Sequence, residues 1–413
     1  MLPLHTADTQ HSLSLLFELI HRSHTLSFLD KDGVERAVHF GRVIFRSHSA
    51  FGRGTMVIEV QCACRSCGHG CDWKEKNLVM KLRFSPKTRA SSELKFLKEM
   101  EAIAKKDSKH RWVFNHLPKI YCSFDLQLRD NTLQQSLEPK FGDSYETHVV
   151  RGTIQERLEP LTSLEMAKEC AQVFYDVLQC HHWVWEHPKI LHRDISQGNI
   201  MVRLKDGRKY GVLNDWDLAS CVDDLEKGAT SQYRTGTRPS MAHEQQALDW
   251  KGPHRYRHDV ESLFYVMMLF AFLYSKASKA VSKPEDELYK YEAWHQLDSL
   301  TLSNLKGKIM YQTWSPRVTP FFAGFQDWLQ MIHHYFQRGF QKQTTHAQAK
   351  LLAERFGRKL TSRKPRNFDR EDLDGNISYE RMVWIMHVFD AEELVTDDDE
   401  VLKRLESMDT DSD

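Results

Sequence analysis

The sequence predicts an α+β protein: a small antiparallel-sheet region carrying one helix, followed by a larger, mainly helical region. Three observations predict it. Strand-like runs crowd the chain before residue 160. Helical spacing of apolar residues dominates after it. At 413 residues and 41% hydrophobic content, the chain is long enough for two unlike lobes with buried cores.

Residues 1–35 read as an N-terminal extension, with a short amphipathic stretch from Leu13 to Ile20 and a turn at Asp32-Gly33. A β-rich lobe is expected over 36–159. Its strands are VHFGRVIF, TMVIEV, LVMKLRF, KIYCSF and HVVRGTIQE, and its helix runs from Glu93 to Lys105 with Leu94, Leu97 and Ile103 near one face. A Cys-rich insert occupies 62–71. The helical lobe is expected over 160–345. Thr162 or Ser163 is placed to cap a helix running through Cys180, with Leu164, Ala167, Ala171, Phe174 and Leu178 on one stripe. Two short strands, NIMVRL and YGVLND, flank a turn at Asp206-Gly207, and the chain is mostly helical from 245 onward. Residues 346–413 read as a helical extension and acidic tail. The basic text from Lys342 to Arg366 and the acidic text TDDDE and MDTDSD are expected to be solvated.

Composition excludes several classes. Lys+Arg and Asp+Glu are equal at 57 each, so no global positive field argues for nucleic acid as a partner. The most apolar run, Leu263 to Tyr274, is too short to span a bilayer and reads as a buried helix, so no membrane partner is expected. The N-terminal residues lack the pattern of a secretory signal. The eight cysteines therefore point to a reducing intracellular setting, cytoplasmic or nuclear, and not to a disulfide framework. No feature predicts an oligomeric state.

The text LHRDISQGNI (191–200) carries the strongest chemical signal. Phosphoryl transfer needs an acceptor for the incoming hydroxyl's proton and ligands for Mg²⁺ near the phosphates. Asp194 suits the first role and Asn199 the second. NDWDLAS follows, with Asp215 at a strand end as a second Mg²⁺ ligand and Trp216 as a packing aromatic. Upstream, Lys81 sits inside the apolar strand LVMKLRF, where its burial demands an anion. Glu93 at the start of the next helix is the first candidate partner; Glu99 is the other. Gly52 and Gly54 in FGRGT would let backbone N–H groups approach phosphates, although Val57 takes the place of a third glycine. TGTRPSMAHE (235–244) supplies Thr237 near the acceptor site and Glu244 as a structural carboxylate, and Asp259 opens an apolar helix.

These words, in this order, resemble the fungal-type protein kinase family: G-R-G-T, H-R-D-I-S-x-x-N-I, D-W-D-L-A, T-G-T-R-P-x-M-A-x-E and H-D-x-E-S, over roughly residues 40 to 275. The resemblance implies a bilobal protein-kinase-like fold with ATP and Mg²⁺ between the lobes. It implies transfer of the γ-phosphate to a Ser or Thr hydroxyl of a protein substrate. It makes Lys81 and Glu93 phosphate-side residues, makes Glu156 and Leu158 part of the linker that meets adenine, and makes Asp259 a brace beneath the H-R-D loop. Leu97, Ile120, His192 and Trp216 would stack as a column, and Arg193 would meet a phosphate on Thr230, Ser231, Tyr233 or Thr235.

The chain departs from the kinase pattern at Ser196, where Ser/Thr kinases carry a Lys, at Asp217 in place of the D-F-G glycine, and at His243 in place of a proline. Two alternatives stay open: a catalytically weak scaffold that binds nucleotide, and a small-molecule kinase resembling aminoglycoside or choline phosphotransferases, which pair a similar loop with I-D-W-E but lack the TGTRPSMAHE segment. Separately, Cys62, Cys64, Cys67, His69 and Cys71 offer ligands of the kind Zn²⁺ takes, against the plainer reading of an insert with free thiols. EDLDGNISYE (371–380) has an EF-hand flavour, but Arg370 and Arg381 fall where acidic ligands belong.

Overall fold

Six antiparallel strands build the N-terminal sheet in the computed structural model, which describes residues 25–30, 33–46, 55–64, 71–86, 92–126, 148–226, 236–281, 291–356 and 367–401. The chain divides into two units, one of Met1–Leu94 and Pro118–Leu158, the other of Lys95–Leu117 and Glu159–Asp413.

The first unit holds β1 (Thr25–Leu29), β2 (Glu35–Arg46), β3 (Met56–Cys62), β4 (Leu78–Pro86), β5 (Ile120–Leu126) and β6 (His148–Glu156), in the spatial order β1-β2-β3-β4-β6-β5. Period-two alternation sends Met56, Ile58 and Val60, then Leu78, Met80 and Leu82, to one face, where they are buried with Val150 and Ile154. The sheet curls. Phe28 on the edge strand β1 stacks on Phe124 of the opposite edge strand β5 at a ring separation of 4.0 Å. Phe124 also explains Gly152, because a Cβ there would lie 2.4 Å from its ring. Strand β1 was not anticipated: TLSFL has little strand character of its own and gains it by pairing with β2. The helix α1 (Ser92–Ala104) contributes its first residues, through Leu94, to this unit.

In the second unit, α2 (Ala167–Glu186) begins later and runs farther than its sequence suggests. Ser163 is not its cap: the hydroxyl donates to Pro160 O at 2.8 Å within a short 3₁₀ turn. Instead Glu169 reaches back and accepts the N–H groups of Glu165 and Met166. The hairpin of β7 (Ile200–Lys205) and β8 (Arg208–Leu213) packs on α2 at Gly211, where a Cβ would lie 2.4 Å from Val173 O. The helix α3 (Tyr256–Leu273) contains most of the apolar run and is buried almost all round. Its Phe270 meets Phe174 of α2 edge-on. Around it lie α4 (Ser299–Tyr311), α5 (Phe325–Phe356) and α6 (Tyr379–Met386). No helix among the described residues is long and apolar enough to cross a membrane.

After α6 the chain forms a strap along α2. Val395 and Gln172 exchange two hydrogen bonds of 2.9 Å, Tyr175 Oη lies 2.8 Å from Thr396 Oγ1, and Gln179 Oε1 accepts from Asp397 N at 2.8 Å. Asp397 also meets Arg208 at 2.9 Å and the buried His116 at 3.3 Å. Thr396–Asp398 are therefore docked, not solvated as the run of acidic letters suggests: Tyr175 meets Thr396, Arg208 and His116 meet Asp397, and Gln179 Oε1 also accepts from Asp398 N at 3.3 Å. Glu371 of the EDLDGNISYE turn pairs with Arg255 and accepts from Tyr256 N at the start of α3.

Candidate active site

The loop Leu191–Ile200 owes its shape to one buried carboxylate. Arg193 sits in the left-handed region at φ 69°, which costs a non-glycine residue about 1–2 kcal/mol. Asp259, on the first turn of α3 and fully buried, accepts the N–H of His192 at 3.0 Å and that of Arg193 at 3.1 Å. Its carboxylate also meets His181 Nε2 at 2.8 Å and His254 Nε2 at 2.7 Å. Burial alone would raise its pKa; His254 and His181 outweigh that and hold it well below the usual carboxylate range.

His192 is the second organiser. Its Nε2–H donates to Asn214 O at 3.0 Å and its Nδ1 accepts from Asp194 N at 3.2 Å. Acceptance at Nδ1 needs the neutral ring, and burial lowers its pKa to about 4. Trp216, fully buried, packs edge-on against it at 4.6 Å. Of the four residues expected to stack as a column, these two are in ring contact.

Asp194 is aimed by the segment that follows residue 235. The Thr237 N–H and hydroxyl both donate to Asp194 Oδ1 at 2.8 Å. Gly236 makes this approach possible: its φ is +148°, and a Cβ would lie 2.8 Å from Met241 Cε. The Asn199 amide nitrogen donates to Asp194 O at 2.7 Å, which leaves its amide oxygen as the ligand atom. Asn214 N–H donates to Asn199 O at 2.8 Å and ties the end of β8 to the loop. Asp215 follows in a left-handed conformation, φ 65° and ψ 72°. Thus Asp194, Asn199 and Asp215 are assembled on one hydrogen-bonded frame.

The end of this segment is clamped from below. His243 donates its N–H to Glu261 Oε1 at 2.8 Å, a bond that a proline could not make. Glu244 meets Arg257 at 2.5 Å and His258 at 3.2 Å. Burial would raise the pKa of Glu244, but His258 and Arg257 pull it far below normal. Lys306, fully buried on α4, donates to Arg238 O at 3.0 Å and Met241 O at 2.5 Å, and burial pushes its pKa well down.

In the first unit, Lys81 Nζ lies 3.7 Å from Glu93 Oε2, and both side chains are buried. Arg83, two residues along the same strand face, is closer at 2.9 Å. Glu93 is thus shared by two cations. At the end of β6, Glu156 N–H donates to Lys119 O and Arg157 N–H to Asn77 O, while Leu158 is buried. Cys62, Cys64 and Cys71 come together; Cys67 and His69 lie outside the described residues, as do Gly52, Gly54, Thr230, Ser231, Tyr233 and Thr235.

Arg83, His181, His254 and Lys306 were not read from the sequence. For Arg83 a signal was present, the two-residue spacing from Lys81. His181 and Lys306 are single basic residues whose partners stand far along the chain, and His254, though only 5 residues from Asp259, has no repeated spacing to mark it.

A family model described as fungal protein kinase matches residues 20–271. No curated protein matches the chain. Among solved structures, the kinase PK-1 of the Cydia pomonella granulovirus is similar at 11% identity and a TM-score of 0.42, covering 78% of this chain and 91% of that one.

Proposed function

The chain belongs to the fungal protein kinase family, and from that premise we propose that it is an active, ATP-dependent protein kinase that phosphorylates Ser or Thr hydroxyls. The observation that carries this reading is the double hydrogen bond from Thr237 to Asp194, on a loop braced by Asp259. Nothing in a merely structural loop calls for a carboxylate so aimed.

Asp194 accepts the proton of the incoming hydroxyl as it attacks the γ-phosphorus. Thr237 keeps that carboxylate in one orientation, so the acceptor oxygen is directed at the phosphoryl group. Asn199 and Asp215 offer an amide oxygen and a carboxylate, an all-oxygen donor set suited to a hard dication such as Mg²⁺. When bound, Mg²⁺ neutralises charge on the phosphates. Lys81, beside Glu93, is the side chain for the phosphates of ATP, and Gly52 and Gly54 are the glycines for them. The Glu156 carbonyl and Leu158 N–H are the groups for adenine. ATP as donor implies an intracellular reaction, cytoplasmic or nuclear.

Transfer of labelled γ-phosphate to generic protein substrates tests the reading, with wild type beside Asp194→Asn and thermal unfolding of both as a check on folding. Wild type transfers, and the variant, equally folded, is slower by about 10²–10⁴-fold. Label on Ser and Thr in acid hydrolysates identifies the acceptor. Tight nucleotide binding without transfer by wild type would favour the scaffold, the reading that Ser196 motivates. Transfer only to small hydroxyl compounds would favour the small-molecule kinase. Equal transfer by both proteins would refute the role of Asp194.

A further inference from the structure

Three thiols of the first unit converge beside the sheet, in residues that the phosphotransfer reading leaves unused. Cys62 ends β3, Cys64 stands two residues on, and Cys71 opens the turn that leads into β4. Their sulfurs all lie within 4.8 Å of one another, and Cys62 Sγ is 3.3 Å from Cys71 Sγ. The backbone enforces the meeting. Cys62 pairs with Val38 across β2 and β3, and Ala63 N–H donates to Ala37 O at 2.8 Å, so the chain stays alongside β2 as it reaches Cys64.

Thiolate sulfurs about 2.3 Å from a central tetrahedral cation stand about 3.8 Å apart, so the observed triangle needs only small adjustment to close on an ion. Two neighbours favour the anionic sulfur. Ala37 N–H points at Cys64 Sγ at 3.4 Å, and the Arg36 guanidinium lies 3.9 Å from Cys71 Sγ. Arg36 is itself fixed, by Asp30 at 3.1 Å and by stacking over Trp73 at 4.7 Å. Three thiolates and a dication leave one net negative charge, which faces the Arg36 guanidinium that Asp30 and Asp72, the latter at 3.5 Å, also share.

We infer that Cys62, Cys64 and Cys71 supply three of the four ligands of a binding site for a soft divalent cation of the Zn²⁺ class, built into the β3–β4 connection, with water able to take the fourth position. Its role is structural. The ion would join the end of β3 to the start of the turn before β4, and so stiffen the connection between two inner strands of the sheet, the second of which carries Lys81.

The test uses the full chain, reduced and stripped of metal, titrated with Co²⁺ and followed by thiolate-to-cobalt charge-transfer absorption. One equivalent should bind, and Zn²⁺ should displace it. Cys62→Ser, Cys64→Ser and Cys71→Ser should each weaken binding by about 10–100-fold or more, while Cys122→Ser, buried in β5, should not. A second measurement needs no variant. Bound Zn²⁺ should protect Cys62, Cys64 and Cys71 from alkylation, mapped by mass spectrometry, and leave Cys221 as reactive as before. Absent charge-transfer absorption, unchanged alkylation, or a Cys62–Cys71 disulfide formed in preference to metal uptake would each overturn the site. Loss of phosphotransfer bears on none of these readouts.

Discussion

Replacing Asp259 with Asn keeps the shape of the side chain and removes its charge. Four donors aim at this carboxylate: the N–H groups of His192 and Arg193, and the rings of His181 and His254. An amide offers one acceptor oxygen, and its NH₂ faces donors on the other side. Breaking a buried, fully paired charge in this way costs about 3–5 kcal/mol. The left-handed Arg193 then loses the bond that holds it, and its relaxation to negative φ recovers about 1–2 kcal/mol while displacing Asp194. A net loss of about 1–4 kcal/mol corresponds to a fall in Tm of roughly 2–16 °C for a unit of this size. The assay is thermal unfolding followed by near-ultraviolet circular dichroism, with phosphotransfer measured in parallel below the transition. If Asp259→Asn unfolds within about 0.5 kcal/mol of wild type, below the smallest expected loss, the carboxylate is not the organiser of the loop, and the argument fails.

Two further predictions concern the frame of the site. His192 has a pKa of about 4 when folded, against about 6.5 unfolded, because burial disfavours its charged form. Its contribution is therefore complete above pH about 6.5 and is lost as pH falls towards about 4, a decline of roughly 3 kcal/mol; urea midpoints across this range should drop, and a flat profile would contradict the neutral, doubly bonded ring. Gly211→Ala should destabilise by about 1–3 kcal/mol, because the new Cβ lies 2.4 Å from Val173 O, a backbone atom that moves only if α2 does; wild-type stability in the same unfolding assay would mean that the hairpin does not press on α2 as described.

What could be read from the letters was local or nearly so. The strands β2 to β6 announce themselves by alternation, and α3 by an apolar run too long for any loop. Lys81, Asp194, Asn199 and Asp215 stood out because each sits in a short word of recognisable spacing, and the hydrogen bonds between Asp194, Asn199 and Thr237 lie within and between such words. Residues that act at a distance did not. His181 serves Asp259 from 78 residues away, and nothing near it marks it as more than one side of a helix. Strand β1 depends on a partner, and α2 starts where Glu169 can reach back, a choice made by side-chain geometry and not by cap propensity. The acidic letters at 396–398 misled because charge alone does not reveal whether a buried His116 or an Arg208 waits for it.

The strap formed by Val395–Asp398 has a consequence for the order in which the protein comes into being. His116 and Asp397 are 281 residues apart along the chain, yet they meet in one buried polar knot with Gly211 and Asp176. A contact of that separation closes late, since the loop entropy must be met before the contact rewards it. During synthesis the catalytic frame at 191–215 emerges long before Asp397 does, so it must wait, partly uncovered along α2, for the strap to arrive. The helical unit thus finishes folding from its far end, and a ribosome-bound chain that already displays every kinase motif is still an incomplete kinase.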